Sequence, residues 1–194
     1  MISFSKIKSY FKIKEDKPSE EKEIIKFEGK FSENIKRIKK GDKWFLADEK
    51  GEKINDKSYD YIDTPSNNIA RVKKNGKWYY IDNYGEEIAK EGFDVARRFP
   101  QDGIARVKSK RKWFYIDKSG SHIAKDGFDY AWKFSEGIAA VKKDGKYYYI
   151  NRNGIPITKD KFDDIREFHG GKGYVKKNNT WYSINRSGNI KEFH

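Results

Sequence analysis

The side chains of this chain best suited to engage a partner are cations gathered at one recurring position. Lys39, Lys40 and Lys43 flank Gly41-Asp42; Lys73, Lys74 and Lys77 flank Asn75-Gly76; Lys142, Lys143 and Lys146 flank Asp144-Gly145; Lys176 and Lys177 precede Asn178-Asn179. In the third occurrence Lys108, Lys110, Arg111 and Lys112 are themselves the turn and its flanks. If these turns align, Lys40, Lys43, Lys73, Lys74, Lys77, Lys108, Lys110, Arg111, Lys142, Lys143, Lys146, Lys176 and Lys177 form a basic ridge. Such a ridge attracts an acidic protein or a nucleic acid by summed, salt-sensitive forces. Lysines at strand ends also keep exposed edges soluble and unpaired, which is the structural alternative. The net charge is +13, and residues 1–26 hold seven lysines against five acids, so most of the excess lies on the body of the chain.

A second chemistry belongs to the aromatics Trp44, Trp78, Trp113, Tyr147 and Trp181, spaced by 34, 35, 34 and 34 residues. Aromatic faces at such spacing can hold quaternary amines by cation–π attraction or stack on bases. They can equally be the core of a repeat, and that is the role expected of them here. Other chemistry is thin. His122, His169 and His194 occupy unrelated repeat positions, and the chain has no cysteine, so neither a thiolate metal site nor a disulfide framework is available. The carboxylates Asp48, Asp82 and Asp117 recur once per unit, too sparsely for a calcium shell, and read as turn caps. No phosphate loop, nucleophile elbow or paired-acid motif stands out. The expectation is a non-enzymatic protein without metal or cofactor.

The elements that would position these residues follow from the period. A beat near 34 residues is the mark of tandem repeats. Units are expected at about residues 25–58, 59–92, 93–127, 128–161 and 162–194, forming one domain over 25–194. Within a unit, Phe128, Tyr130, Trp132 and Phe134 alternate with small or polar residues, the period-two pattern of a strand. A second apolar strand recurs at Ile35–Ile38, Ile69–Val72, Ile104–Val107 and Ile138–Val141. Asn75-Gly76 and Asp144-Gly145 predict type I′ hairpins leading to a third strand. The slot at Ser109, Lys110 and Arg111 is expected to hold a bulge or three-residue loop, accounting for the single 35-residue gap. The third strand, as in Lys77-Trp78-Tyr79-Tyr80-Ile81-Asp82, is apolar on both faces, so both must be covered, as stacking would do. Asx side chains with Gly51, Gly85, Gly120, Gly154 and Gly188 close each unit with a turn.

The phrase Phe134-Ser135-Glu136-Gly137-Ile138-Ala139, then Val141-Lys142-Lys143-Asp144-Gly145-Lys146, then Tyr147 to Gly154 and Phe162-Asp163, resembles the bacterial WG-repeat family. Tyr59-Asp60, Phe93-Asp94 and Phe128-Asp129 repeat the closing pair, and the resemblance covers about residues 25–194. It implies an all-β array of about five three-stranded antiparallel units, elongated or gently curved, with a binding or scaffolding role and no common enzymatic activity. One departure is systematic: Phe45, Tyr79, Phe114, Tyr148 and Tyr182 stand where the family carries the glycine after the tryptophan. The stretch Gly76 to Gly85 is also similar to choline-binding and cell-wall-binding repeats, although those units are shorter and lack the intervening segments.

Residues 1–24 differ in kind. Phe4, Ile7 and Phe11 can line one face of a short basic helix, expected either to cap the first repeat or, with Tyr10, Lys6, Lys8, Lys12 and Lys14, to touch a membrane surface through residues 1–14. No segment has the length and apolarity to insert in a membrane, nor the apolar stretch of a secretory signal, so a cytoplasmic location is expected. At the other end an open sheet edge after Gly188 is expected. The whole reads as a macromolecule-binding scaffold, with association with bacterial immunity or effectors one expectation, whose partner is a protein of acidic character. Nucleic acid, and choline or glycan, are the alternative ligands.

Overall fold

The computed structural model describes residues 26–32 and 34–192, with the backbone alone for 26–30. The expected cap or membrane contact in residues 1–24 lies outside the described residues. Those described form five antiparallel sheets in chain order and contain no helix. Sheet 1 holds β1 (Lys26–Lys30), β2 (Lys36–Lys40) and β3 (Lys43–Ala47). Sheet 2 holds β4 (Tyr61–Ile62), β5 (Ile69–Lys74) and β6 (Lys77–Asp82). Sheet 3 holds β7 (Val95–Ala96), β8 (Ala105–Ser109) and β9 (Lys112–Ile116). Sheet 4 holds β10 (Tyr130–Ala131), β11 (Ile138–Lys143) and β12 (Lys146–Asn151). Sheet 5 holds β13 (Asp164–Ile165), β14 (Lys172–Lys177), β15 (Thr180–Asn185) and β16 (Ile190–Glu192).

Each central hairpin closes on two residues, as Asn-Gly and Asp-Gly dictate. Lys74 pairs Lys77 and Lys143 pairs Lys146, with both turn residues at positive φ in Asn75-Gly76 and Asp144-Gly145. The third hairpin corrects the expectation. Ser109 pairs Lys112, so its loop is also two residues, Lys110 and Arg111, held at φ 48 and 69. Long cationic side chains take the place that Asn-Gly fills elsewhere, in a backbone region that costs an ordinary L residue about 1–2 kcal/mol. The extra residue of that unit lies instead in the turn between β7 and β8, where the Gly103 amide donates to the Pro100 carbonyl at 3.0 Å. The first strands of sheets 2 to 5 are two residues long, shorter than their alternation implies. Only Tyr130 and Ala131 of the Phe128–Phe134 run are strand, with Phe128 buried and Tyr130 exposed. Past Gly188, β16 pairs β15 from Tyr182 to Ile184 and is itself the edge strand of sheet 5, so the sheet edge expected after Gly188 is there, one strand further out.

The sheets stack face to face, which is why the third strand is apolar on both sides. Ile69 and Tyr80 on one face of sheet 2 pack with Ala96, Ala105, Val107 and Ile116 on the facing side of sheet 3. Tyr115 and Ile104 of sheet 3 meet Ala131, Ala139, Val141 and Ile150 of sheet 4 in the same way. Tyr149 and Ile138 of sheet 4 meet Ile165, Val175 and Ile184 of sheet 5. The buried tyrosines also bond across the gap: Tyr80, Tyr115 and Tyr149 donate to the carbonyls of Arg97, Trp132 and Arg166 at 2.5, 2.6 and 2.5 Å. Burial pushes all three hydroxyls up from their ordinary pKa. They stay neutral donors.

The recurring aromatics that open the third strand sit less deep than those two residues later. Trp44 is buried, while Trp78, Trp113, Tyr147 and Trp181 are half-buried. Each strand start is tied to the next unit by paired backbone bonds, as between Trp113 and Phe128 at 2.8 Å in both directions. Turn glycines set the closest approach of neighbouring units. Gly120, at φ +80, lies where a Cβ would run into the carbonyl oxygen of Ile88. Its left-handed backbone and that contact both demand glycine. The turns are capped as expected: Asp117 Oδ1 accepts from the Ser119 and Ser121 amides at 2.8 and 3.0 Å.

Candidate functional site

The hairpin tips lie side by side because an aspartate sits between each pair of neighbours. Asp60, Asp94, Asp129 and Asp163 are the second residues of the Tyr-Asp and Phe-Asp pairs, and each receives the lysine just after the preceding turn: Lys43, Lys77, Lys112 and Lys146. The same carboxylates reach the next tip. Asp94 accepts from the Lys110 amide at 3.1 Å and Asp163 from the Asn178 amide at 3.0 Å. Asp60 takes backbone donors at Asn75 and Gly76, and Asp129 at Asp144 and Gly145. One aspartate thus joins the flank of one hairpin to the turn of the next. The turns form a continuous row.

These aspartates were not singled out from the sequence, though the signal was present: each stands a constant 17 residues beyond its lysine. The lysine hydrogen bond is the largest influence on each, and it holds the carboxyls of Asp60, Asp94, Asp129 and Asp163 below the ordinary aspartate pKa. A carboxyl depressed in the folded state contributes stability that is complete above its unfolded pKa, about 4. That contribution is lost as pH falls through the lower folded value. In an acid titration of the melting temperature, Asp94→Asn is expected to start slightly lower on the neutral plateau and to lose correspondingly less below about pH 4, so that it converges with the parent in acid; the difference is small because the pair is exposed. A decline as steep as that of the parent protein would show that the clamps do not act.

The ridge is therefore only partly free. Lys43, Lys77 and Lys146 are committed to the clamps, and Lys143 and Lys177 pair with Asp126 and Asp160 at 2.8 Å. Lys40 also makes an interaction of its own. Lys73, Lys74, Lys108, Lys110, Arg111, Lys142 and Lys176 have no carboxylate within 4.0 Å among the described residues. Several lean over the strand-opening aromatics. Lys73 and Arg71 lie 5.9 and 5.0 Å from the Trp78 ring centre, Lys108 5.7 Å from that of Trp113, and Lys142 4.8 Å from that of Tyr147. The aromatic faces that an external amine would use already carry the chain's own cations.

A third set of charges crosses between layers. Asp63, 1% exposed, accepts from Arg71 through Nε at 3.0 Å and Nη2 at 2.5 Å, and from Arg98 of the next unit at the same two distances. Burial alone would raise its carboxyl, but the hydrogen bonds from Arg98 and Arg71 outweigh it and hold the pKa below the ordinary value. At the opposite end of the sheets Glu136 accepts from the Gly170 and Gly171 amides at 2.7 and 2.8 Å and pairs with Arg186. His122 rests on Phe114 and His169 lies beside Glu136, so these two histidines do not converge. No cluster of metal-binding side chains occurs among the described residues.

A family model for the WG-containing repeat matches residues 44–78, 80–113, 113–147 and 149–181. A model for a putative cell-wall-binding repeat matches residues 72–86 and 141–155, over the hairpins that turn on Asn75-Gly76 and Asp144-Gly145. Comparison with curated proteins finds no match. Among solved structures, Hsv2p of Kluyveromyces lactis aligns at 11% identity and a TM-score of 0.41, over 86% of this chain and 62% of that one. A structure described as a eukaryotic initiation factor aligns at 10% identity and a TM-score of 0.43, over 88% and 55%. The chain spans less than two thirds of either.

Proposed function

The chain belongs to the WG-repeat family, and from that premise we propose that it is a non-enzymatic scaffold whose hairpin-tip row binds an acidic protein. The observation that carries this is the clamped row itself. Four aspartates hold five turns in fixed order, leaving free cations at Lys73, Lys74, Lys108, Lys110, Arg111, Lys142 and Lys176. Turns already held in order need no ordering when a partner arrives, which favours specific association. Carboxylates interleaved with the cations favour a protein over a nucleic acid. A polyphosphate would pass Asp60, Asp94, Asp129 and Asp163 at close range, whereas separate acidic side chains can fall between them. Choline is disfavoured for a different reason: Arg71, Lys73, Lys108 and Lys142 lie over the rings it would need.

Retention of the purified protein on immobilised polyglutamate and on single-stranded DNA tests the reading. Polyglutamate is expected to hold it at about 50 mM salt and release it as screening increases, with Lys73→Glu/Lys108→Glu/Lys142→Glu/Lys176→Glu abolishing retention. Stronger retention on DNA, with log affinity falling against log salt at a slope near −4 to −5 for about five phosphate contacts, would overturn it. So would absence of retention on polyglutamate.

A further inference from the structure

The repeats allow the same interlayer position to be compared in successive sheets, and in sheet 3 it lacks its anion. In sheet 2 Arg71 donates Nη1 to the Ala96 carbonyl of the next layer at 2.7 Å and gives Nε and Nη2 to Asp63. One period on, Arg106 makes the matching anchor, donating Nη1 to the Ala131 carbonyl at 2.8 Å. Its Nε and Nη2 have no acceptor among the described residues. Neither is sealed from solvent, in contrast to the orphaned Nε of Arg37. The residue across the strand, where sheet 2 has Asp63, is the exposed Arg97, whose amide donates to the Arg106 carbonyl at 2.9 Å. The counterpart of Arg98 is Lys133, paired with Glu167 at 3.2 Å.

We infer that Arg106 and Arg97 form a carboxylate-binding site between sheets 3 and 4, which takes an aspartate or glutamate side chain of the acidic partner as sheet 2 takes Asp63. The inference rests on the reading of the tip row as a protein-binding surface and adds where recognition is most specific. A guanidinium anchored through one Nη presents Nε and the other Nη as a planar fork, the geometry that receives a carboxylate on two parallel bonds. Two like charges facing each other across adjacent strands repel, so a bound anion relieves a cost already present. The site opens toward the tip row, since Arg97 lies 6.0 Å from the centre of the Trp113 ring, the same ring that Lys108 covers.

Arg97→Asp rebuilds the sheet 2 arrangement in sheet 3 and fills the fork from within. It is expected to keep or raise the melting temperature while lowering affinity for polyglutamate by at least about tenfold, more than Lys74→Glu, which carries the same charge change on the row away from the fork. Independently of polyglutamate, glutarate titrated at constant ionic strength is expected to give a saturable shift of the Arg106 Nε–H resonance in the parent protein and none in Arg97→Asp. A linear or equal shift in both overturns the site whatever the resin shows. Retention of the parent protein with equal losses in Arg97→Asp and Lys74→Glu also overturns the site while sparing the row. Failure of the parent protein to bind polyglutamate, beside a saturable glutarate shift, overturns the row and spares the site. If Arg97→Asp melts lower than the parent, Arg97→Gln is compared with Lys74→Gln on polyglutamate instead, and a loss no greater than that of Lys74→Gln overturns the site.

Discussion

Tyr115→Ala is expected to destabilise the protein by about 3–5 kcal/mol, the cost of emptying a fully buried aromatic site. Its ring lies between sheets 3 and 4 with no exposure, against Phe128 and Phe134, and its hydroxyl bonds the Trp132 carbonyl at 2.6 Å. Tyr115→Phe separates the two parts. It keeps the packing but strands a buried carbonyl, at a cost of about 1–3 kcal/mol. Trp113→Ala is expected to cost less than Tyr115→Ala although tryptophan is larger, because it is only part-buried, with Lys108 and Arg97 lying over its ring. Urea unfolding of the three variants decides it. A larger loss for Trp113→Ala would mean that the strand-opening aromatics, not those two residues later, bind the layers together.

Asp63→Asn is expected to cost about 3–5 kcal/mol, because it leaves buried cation without its partner while hardly changing shape. The loss falls on Arg71, whose side chain is 20% exposed; Arg98, at 59%, can turn to water. Arg98→Ala should therefore be much milder than Asp63→Asn. Thermal unfolding at neutral pH compares them, and equal effects would show that the exposed arm carries the interaction. The depressed carboxyl adds a sign: the Asp63 contribution is complete above about pH 4 and disappears as pH falls through its lower folded pKa, so the two proteins should converge in acid.

Much of this was legible from residue types alone. Asn75-Gly76 and Asp144-Gly145 specify their hairpins locally, and Trp78-Tyr79-Tyr80-Ile81, apolar on both faces, can be satisfied only between two neighbours. The tip at Lys110 and Arg111 was not legible, because neither residue favours positive φ and local turn chemistry points to a longer loop there, whereas Ser109 to Lys112 matches Lys74 to Lys77 in length and the insertion lies at Pro100–Gly103. The lysine row was legible but its charge was not. Whether a lysine is free depends on Asp60, Asp94, Asp129 and Asp163, which read as closing residues of a motif until folding brings them to the tips. The arginine anchor is periodic, at Arg37, Arg71 and Arg106, but the residue facing it is not: Asp63 stands where Arg97 stands one unit on. Such departures give no periodic signal and become visible only when equivalent layers are superposed.

The clamped tips have a metrical consequence. Stacked sheets lie about 10 Å apart, so free cations recur along the row at about that interval. An extended partner advances about 3.3 Å per residue with side chains alternating between faces, so acids on one face meet every second tip when they stand about every sixth residue; a helical one, at about 1.5 Å per residue, meets successive tips with acids about every seventh. Because paired backbone bonds and shared cores join each unit to the next, with an aspartate bridging each pair of tips, the row keeps that interval. If the row binds acidic proteins as proposed, partners of equal charge are sorted by the pitch at which their charge is written.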